Sequence, residues 1–401
     1  MASPIPVPVD RARAHVLAKQ GLTAARLADP LEAVEATAGV YATSPTCYLS
    51  CAARVEGFRL AGLDRELYER RRLVRLRCVR GMAYVQPVEL APVLFACTGE
   101  PRDRTLQRIA KFAGLGEREL LDLADRVEAV LAGRPPATVP EIRELLGGRV
   151  LGAPSALQYT VALLARFGRL VRAEPRGTWR SDLYAYARWE EWVGDVVPDM
   201  DTGEARTILA LRYLRAFGPA TVDDLKCWTG WTKRGAVAAL AALGDRIVSV
   251  SIDGAEAWLP AEELDTLRPL DPEQARGVRL LPVWDAYFMG YAPGGRARQV
   301  AAADYGRVYD RAGNGTSALV VDGMAAGVWE LDEGAGVVRV APFSELGGRW
   351  EEVEREVAGL AAMLDVELRL KRVPAPPALQ DLPRNAFLAP ISAAARTNRE
   401  G

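Results

Sequence analysis

The chain has 401 residues, 49% of them apolar and 26% charged, with a net charge of -1. That length supports two to four domains at roughly 100–150 residues each, and the near-zero net charge means that any polyanionic partner must be met by a local basic face. Five cysteines in odd number without a CxxC pair argue against a disulfide framework, and no run approaches the ~18 apolar residues of a membrane span.

Cys47 and Cys51 lie one helical turn apart and read as buried small hydrophobes, not as a metal clip. The single histidine, His15, has no cluster of cysteines or carboxylates with which to complete a zinc site or a Ser-His-Asp triad, so neither metal nor cofactor is expected. The start MASPIPVPVD lacks the basic-then-apolar order of a signal peptide, which makes a cytoplasmic monomer without membrane partners the expectation.

Residues 1–10 alternate with proline and read as an extended arm ahead of a helix that starts near Asp10. A first module spans 1–130, with helices over 10–20, 29–40, 45–56, 60–70 and 87–98 and a strand over Met82 to Gln86. Between Arg59 and Arg80 it carries eight arginines against three acids, read as a basic helix followed by a strand, in the manner of a recognition helix and its wing. Three acids cannot neutralise eight guanidiniums, so Arg70, Arg71, Arg72, Arg75, Arg77 and Arg80 are candidate phosphate contacts, a solvated helix face being the alternative.

In the second module, 131–200, Thr138 caps VPEIRELLG and Ser155 caps SALQYTVALLARFG, after which two alternating segments read as a hairpin. Helix, turn, longer helix and hairpin is the order of a winged helix, and Arg166, Arg172, Arg176, Arg180 and Arg188 decorate it. Arg176 and Arg180 join the candidate DNA contacts. The order recurs over 201–268, with caps at Thr221 and Thr232 and a hairpin turning at Asp253-Gly254. There Trp228 and Trp231, three apart, read as core residues. Residues 269–373 are strand-like runs broken by Gly, Pro and Asp-Gly turns, with one charged helix, and 374–401 form a tail with little to pack. The fold class is therefore α+β, with tandem winged-helix modules and a C-terminal β-rich unit.

Six blocks in this order, GVYATSP with YLSCAARVEGF at 39–58, ELYERRRLVRLRCVRG at 66–81, GTWRSDLYAYARWEEW at 177–192, VDDLKCWTGWT at 222–232, LLPVWDAYFMGY at 280–291 and VVDGMAAGVWEL at 320–331, resemble the bacterial YcaQ/AlkZ family of winged-helix DNA glycosylases. The resemblance implies three tandem winged helices and a β-barrel, arranged in a C-shape whose concave channel accepts duplex DNA. It also implies excision of alkylated bases or unhooking of interstrand crosslinks by hydrolysis of the N-glycosidic bond, with protection against a genotoxic natural product as one use of that activity.

The family's Gln-apolar-Gln or Gln-apolar-Asp motif falls on Tyr41, Ala42 and Thr43, so both polar catalytic residues are replaced. Thr43 can orient a water only weakly, and a tyrosine with a pKa near 10 is a poor base at neutral pH. A cationic N7-alkylpurine is nevertheless a good leaving group that needs little assistance. Tyr84, Trp284 and Asp285 are candidate channel residues, a turn-capping aspartate being the equal alternative at Asp285. Two readings stand: a glycosylase with residual or altered activity on alkylated or crosslinked double-stranded DNA, or a non-catalytic DNA-binding regulator or lesion shield.

Overall fold

The computed structural model describes residues 4–43 and 45–400. It divides into two compact units: residues 1–41, 46–63 and 210–401 form the first, and 42–45 with 64–209 form the second. The chain passes between them at 41/42, 45/46, 63/64 and 209/210. Residues 1–3 of the expected arm and Ser44 lie outside the described residues.

The winged helix read over 204–260, which lies in the first unit from Ala210 onward, is written almost entirely by local chemistry. Helix Thr202–Phe217 is followed by Val222–Thr229, where Thr221 and Asp224 exchange backbone-to-side-chain bonds of 3.1 and 3.0 Å in a capping box. Gly230, at φ 76°, ends that helix, and Thr232 accepts from the Gly235 N–H at 3.1 Å to start Lys233–Leu243. Strands Ile247–Ile252 and Ala255–Pro260 pair over six residues around Asp253 and Gly254, both at positive φ (49° and 79°), as a two-residue type I′ hairpin requires. Trp228 and Trp231 are buried, as their spacing predicted. The N-terminal arm is pinned to this wing: Ile5 and Pro6 pair in parallel with Val250 and Ser251, and Val7 completes a small core with Ala12, Ile252 and Leu259.

The β-rich part of the first unit is one open sheet. Its strands run Val278–Leu281, Ala318–Val321, Met324–Asp332, Val337–Pro342 and Arg369–Arg372 in that spatial order, antiparallel except for the last pair. It does not close into a barrel. Asp322-Gly323 makes the second hairpin turn, helix Trp350–Leu364 packs on the first strand, and Trp329, 1% exposed, donates to the Leu281 carbonyl at 2.8 Å. The segment read as a tail carries helix Pro390–Glu400, whose start is tied down by Glu330, which accepts from the Ile391 N–H at 2.5 Å and the Ser392 N–H at 3.0 Å.

In the second unit, helices Arg102–Ala113 and Glu117–Leu131 precede the winged helix of the second module. Helix Val139–Leu145 starts at a capping box in which the Thr138 N–H donates to Glu141 at 2.6 Å. Ser155 stands at the start of Ala156–Arg166 but its hydroxyl makes no capping bond. Leu123, Val127, Ile142, Leu157, Val161 and Leu170 fill the core under hairpin Leu170–Pro175 and Tyr184–Arg188.

The helix read over 60–70 is present as Leu60–Asp64 and its continuation to Glu69, but the arginines beyond it are not helical. Helical structure ends in a π-turn at Arg65–Glu69, and Leu73–Arg77 is a strand that pairs with Ala83–Pro87 and, at Arg75, with Arg172 of the hairpin. Pairing on both edges overrides the helical reading of the arginine run: a strand needs partners that lie far along the chain, and both are present. The reversal between the two strands passes through Arg80 (φ 51°) and Gly81 (φ 71°).

Candidate functional site

Tyr41 and Thr43, which the resemblance sets against the family's catalytic motif, are held differently from each other. Tyr41, 4% exposed, stacks on Trp284 with ring centroids 5.7 Å apart and planes 22° apart. Trp284 is itself fixed, by an indole N–H bond to Asn314 at 3.1 Å and by Phe387 at 5.4 Å. Tyr41 therefore belongs to a row of packed aromatic rings with Trp284 and Phe387. Thr43 is half-buried, and its hydroxyl oxygen is buried with no hydrogen-bond partner among the described residues. A buried hydroxyl in that state has donor and acceptor capacity to hold a water.

Asp285, read as a channel residue, is fully enclosed. Its carboxylate accepts from Arg54 Nη1 at 2.8 Å and Nη2 at 2.6 Å, from the Ser50 hydroxyl at 2.8 Å and from the Tyr287 N–H at 2.9 Å. With both Arg54 and Asp285 0% exposed, this is a saturated structural ion pair that caps the turn Ala286–Met289, and it has no acceptor left for a water nucleophile. Arg54 was missed from the sequence because its partner lies 231 residues away.

The candidate arginines of the second unit divide by exposure. Glu66, buried, holds Arg70 at 2.9 Å and Arg72 at 2.6 Å, and the Arg72 hydrogen bond keeps its carboxyl below the usual carboxylate range. Both guanidiniums stay largely exposed. Arg71 lies 4.0 Å over the Trp192 ring and donates to the Trp192 carbonyl at 3.0 Å. Arg75, 3% exposed, is sandwiched by the rings of Tyr68 and Tyr184 at 5.6 and 5.2 Å, which removes it from the phosphate contacts. Arg77 and Arg80 are exposed at the end of the strand and in the turn beyond it. Arg176, exposed, donates to the Pro136 carbonyl at 3.1 Å, and Arg180, exposed, lies 4.8 Å over Trp179. Tyr84 is 2% exposed and belongs to the packing between strands.

The chain belongs to the AlkZ-like DNA glycosylase family, whose profile matches residues 29–363. It is similar to the interstrand DNA cross-link repair glycosylase of Streptomyces sahachiroi, 31% identical over 153 residues, a match that covers 37% of this chain and 40% of that relative. The solved structure of Streptomyces sahachiroi DNA glycosylase AlkZ superposes with a TM-score of 0.75 at 21% identity, covering 92% of this chain and all of the other, which establishes a shared fold. No described helix is long and apolar enough to cross a membrane.

Proposed function

We propose that this protein binds duplex DNA and releases alkylated purines from it by hydrolysing the N-glycosidic bond, including purines caught in interstrand crosslinks. The observation that carries this reading is the family match across residues 29–363, a span that includes Tyr41 and Thr43. Thr43, with its unengaged buried hydroxyl, takes the role of holding the attacking water. The exposed guanidiniums of Arg70, Arg72, Arg77, Arg80, Arg176 and Arg180 take the backbone phosphates, and Tyr41, braced by Trp284, faces the damaged base.

The chemistry limits the substrate. Neither Tyr41 nor Thr43 is a base at neutral pH, and Asp285 is saturated by Arg54, so assistance to the leaving group is weak. Such a site suits a purine that already carries a positive charge, as N7-alkylguanine does, because the base then departs neutral and no proton need be delivered to it.

The test is incubation of purified protein with duplexes containing N7-methylguanine. Release of free base, read by mass spectrometry, together with alkali-labile abasic sites supports the activity; no release at enzyme excess overturns it. The burial of Tyr41 against Trp284, which fills the position of a catalytic amide with an aromatic wedge, favours a second reading as a lesion-binding protein without hydrolysis. That reading expects salt-sensitive duplex affinity, no free base and no effect of Thr43→Ala on DNA integrity.

A further inference from the structure

A cavity of about 490 Å3 opens on the first unit between residues 55–59, the start of strand Val278–Leu281 and one face of helix Trp350–Leu364. Its lining holds five arginines against three glutamates, in a chain whose net charge is -1. At the floor a single carboxylate, Glu356, is shared by Arg26 and Arg279, the latter at 3.3 Å, with the three side chains 9%, 19% and 8% exposed. Arg26 also lies 3.9 Å from Glu56, whose side chain is 79% exposed, so the excess of positive charge belongs to the lining as a whole, with five guanidiniums to three carboxylates. The Arg279 Nε is buried and makes no hydrogen bond among the described residues.

The mouth adds more of the same sign. Arg59 and Arg355 are exposed and make no ion pair among the described residues, and Arg276 meets only Glu273, with both partners more than half exposed, where an ion pair contributes little. Gly57 and Gly359 line the cavity with open space where a Cβ would stand, which keeps it accessible. The volume is within the range of small-ligand sites and exceeds that of one oxyanion. Burial pushes the Arg279 guanidinium pKa down and the Glu356 carboxyl up, a desolvation that a bound anion would relieve for Arg279.

We propose that this cavity binds a phosphate group, carried by a nucleic-acid strand or by free phosphate or nucleotide, with Arg59, Arg276 and Arg355 gripping its oxygens above the Arg26–Glu356–Arg279 floor. Guanidinium forks match phosphate geometry and keep their charge at any physiological pH. Residues 41–43 are not part of its lining, and the proposal does not rest on the base-excision reading.

The experiment uses the full chain. Thermal melting is followed in sodium phosphate and in sodium chloride at matched ionic strength, alongside duplex affinity as a function of salt, for the native protein, Arg59→Ala/Arg355→Ala, and Gly359→Leu. The leucine occupies the cavity from a helical position where glycine is the poorer helix former, so this variant folds at least as well. Phosphate is expected to raise the native melting temperature beyond chloride, the double variant to lose roughly 10-fold or more in phosphate affinity, and Gly359→Leu to lose the effect while melting no lower. If the phosphate belongs to DNA, the double variant also lowers the slope of log affinity against log salt by about two. A lost phosphate effect with an unchanged duplex slope assigns the site to free phosphate or nucleotide. A phosphate effect that survives in both variants overturns the proposal, as does no phosphate effect with an unchanged duplex slope. If the phosphate is free, base release from N7-methylguanine duplexes stays as it was in every variant; if it belongs to DNA, only the protein concentration needed for release rises and the single-turnover rate at saturating protein stays as it was, which separates this result from that of the excision assay.

Discussion

Arg54 and Asp285 form a bidentate ion pair at 2.6 and 2.8 Å with both side chains 0% exposed, joining helix Thr46–Ala52 to the turn that follows strand Val278–Leu281. Removing one partner strands a buried charge. Asp285→Ala is expected to cost about 3–5 kcal/mol, read as a lower urea midpoint, whereas Arg54→Met/Asp285→Leu should recover a large part of that loss. A variant Asp285→Ala of native stability that has lost base release would instead make the aspartate a catalytic group.

Thr43 is expected to act through water and not through DNA affinity. Thr43→Val keeps the shape and deletes the hydroxyl, so release of N7-methylguanine should fall on the order of 100-fold while duplex affinity holds. In the other direction, Tyr41→Gln/Thr43→Gln supplies the amides of the family motif and should raise the rate, provided the space left beside Trp284 does not unfold the site. Single-turnover base release with parallel binding titrations checks both.

Two arginines two residues apart on one strand should behave in opposite ways. Arg77 is exposed, so Arg77→Ala should reduce the salt slope of duplex binding by about one and leave stability near native. Arg75 sits between the Tyr68 and Tyr184 rings, so Arg75→Ala should lower the melting temperature and leave the salt slope unchanged. Equal salt slopes for the two variants would remove Arg77 from the phosphate contacts.

Burial, the largest influence on His15, holds its imidazole pKa below 6.5 despite the 2.9 Å bond to Glu263. The unfolded chain therefore binds a proton at a pH where the folded one does not. Stability is unaffected by this group above pH 6.5, falls as pH drops from there to the folded-state value, and falls no further below it. Melting temperatures between pH 7.5 and 5.5 should show this decline, and His15→Gln should flatten it.

The winged helix over 202–260 was legible because each of its signals acts within four residues: Thr221 with Asp224, Thr232 with Gly235, and Asp253-Gly254 within a single turn. The order of family blocks was legible for a different reason, since order along the chain is a one-dimensional property. Partners far apart in sequence were not legible. Residues 72–77 hold enough arginine and leucine for a helix, and only pairing with 83–87 and with Arg172 makes them a strand, which then buries Arg75 and leaves Arg77 in water. Asp285 read equally as a channel residue and as a turn cap, and Arg54, 231 residues away, decided for the buried cap, while the five arginines that line one cavity come from four separate stretches of chain. Caps and turns are decided by neighbours along the backbone, whereas exposure and charge pairing are decided by what the folded chain brings alongside, so the sequence alone named the modules and the tertiary structure chose which of their charged side chains reach solvent.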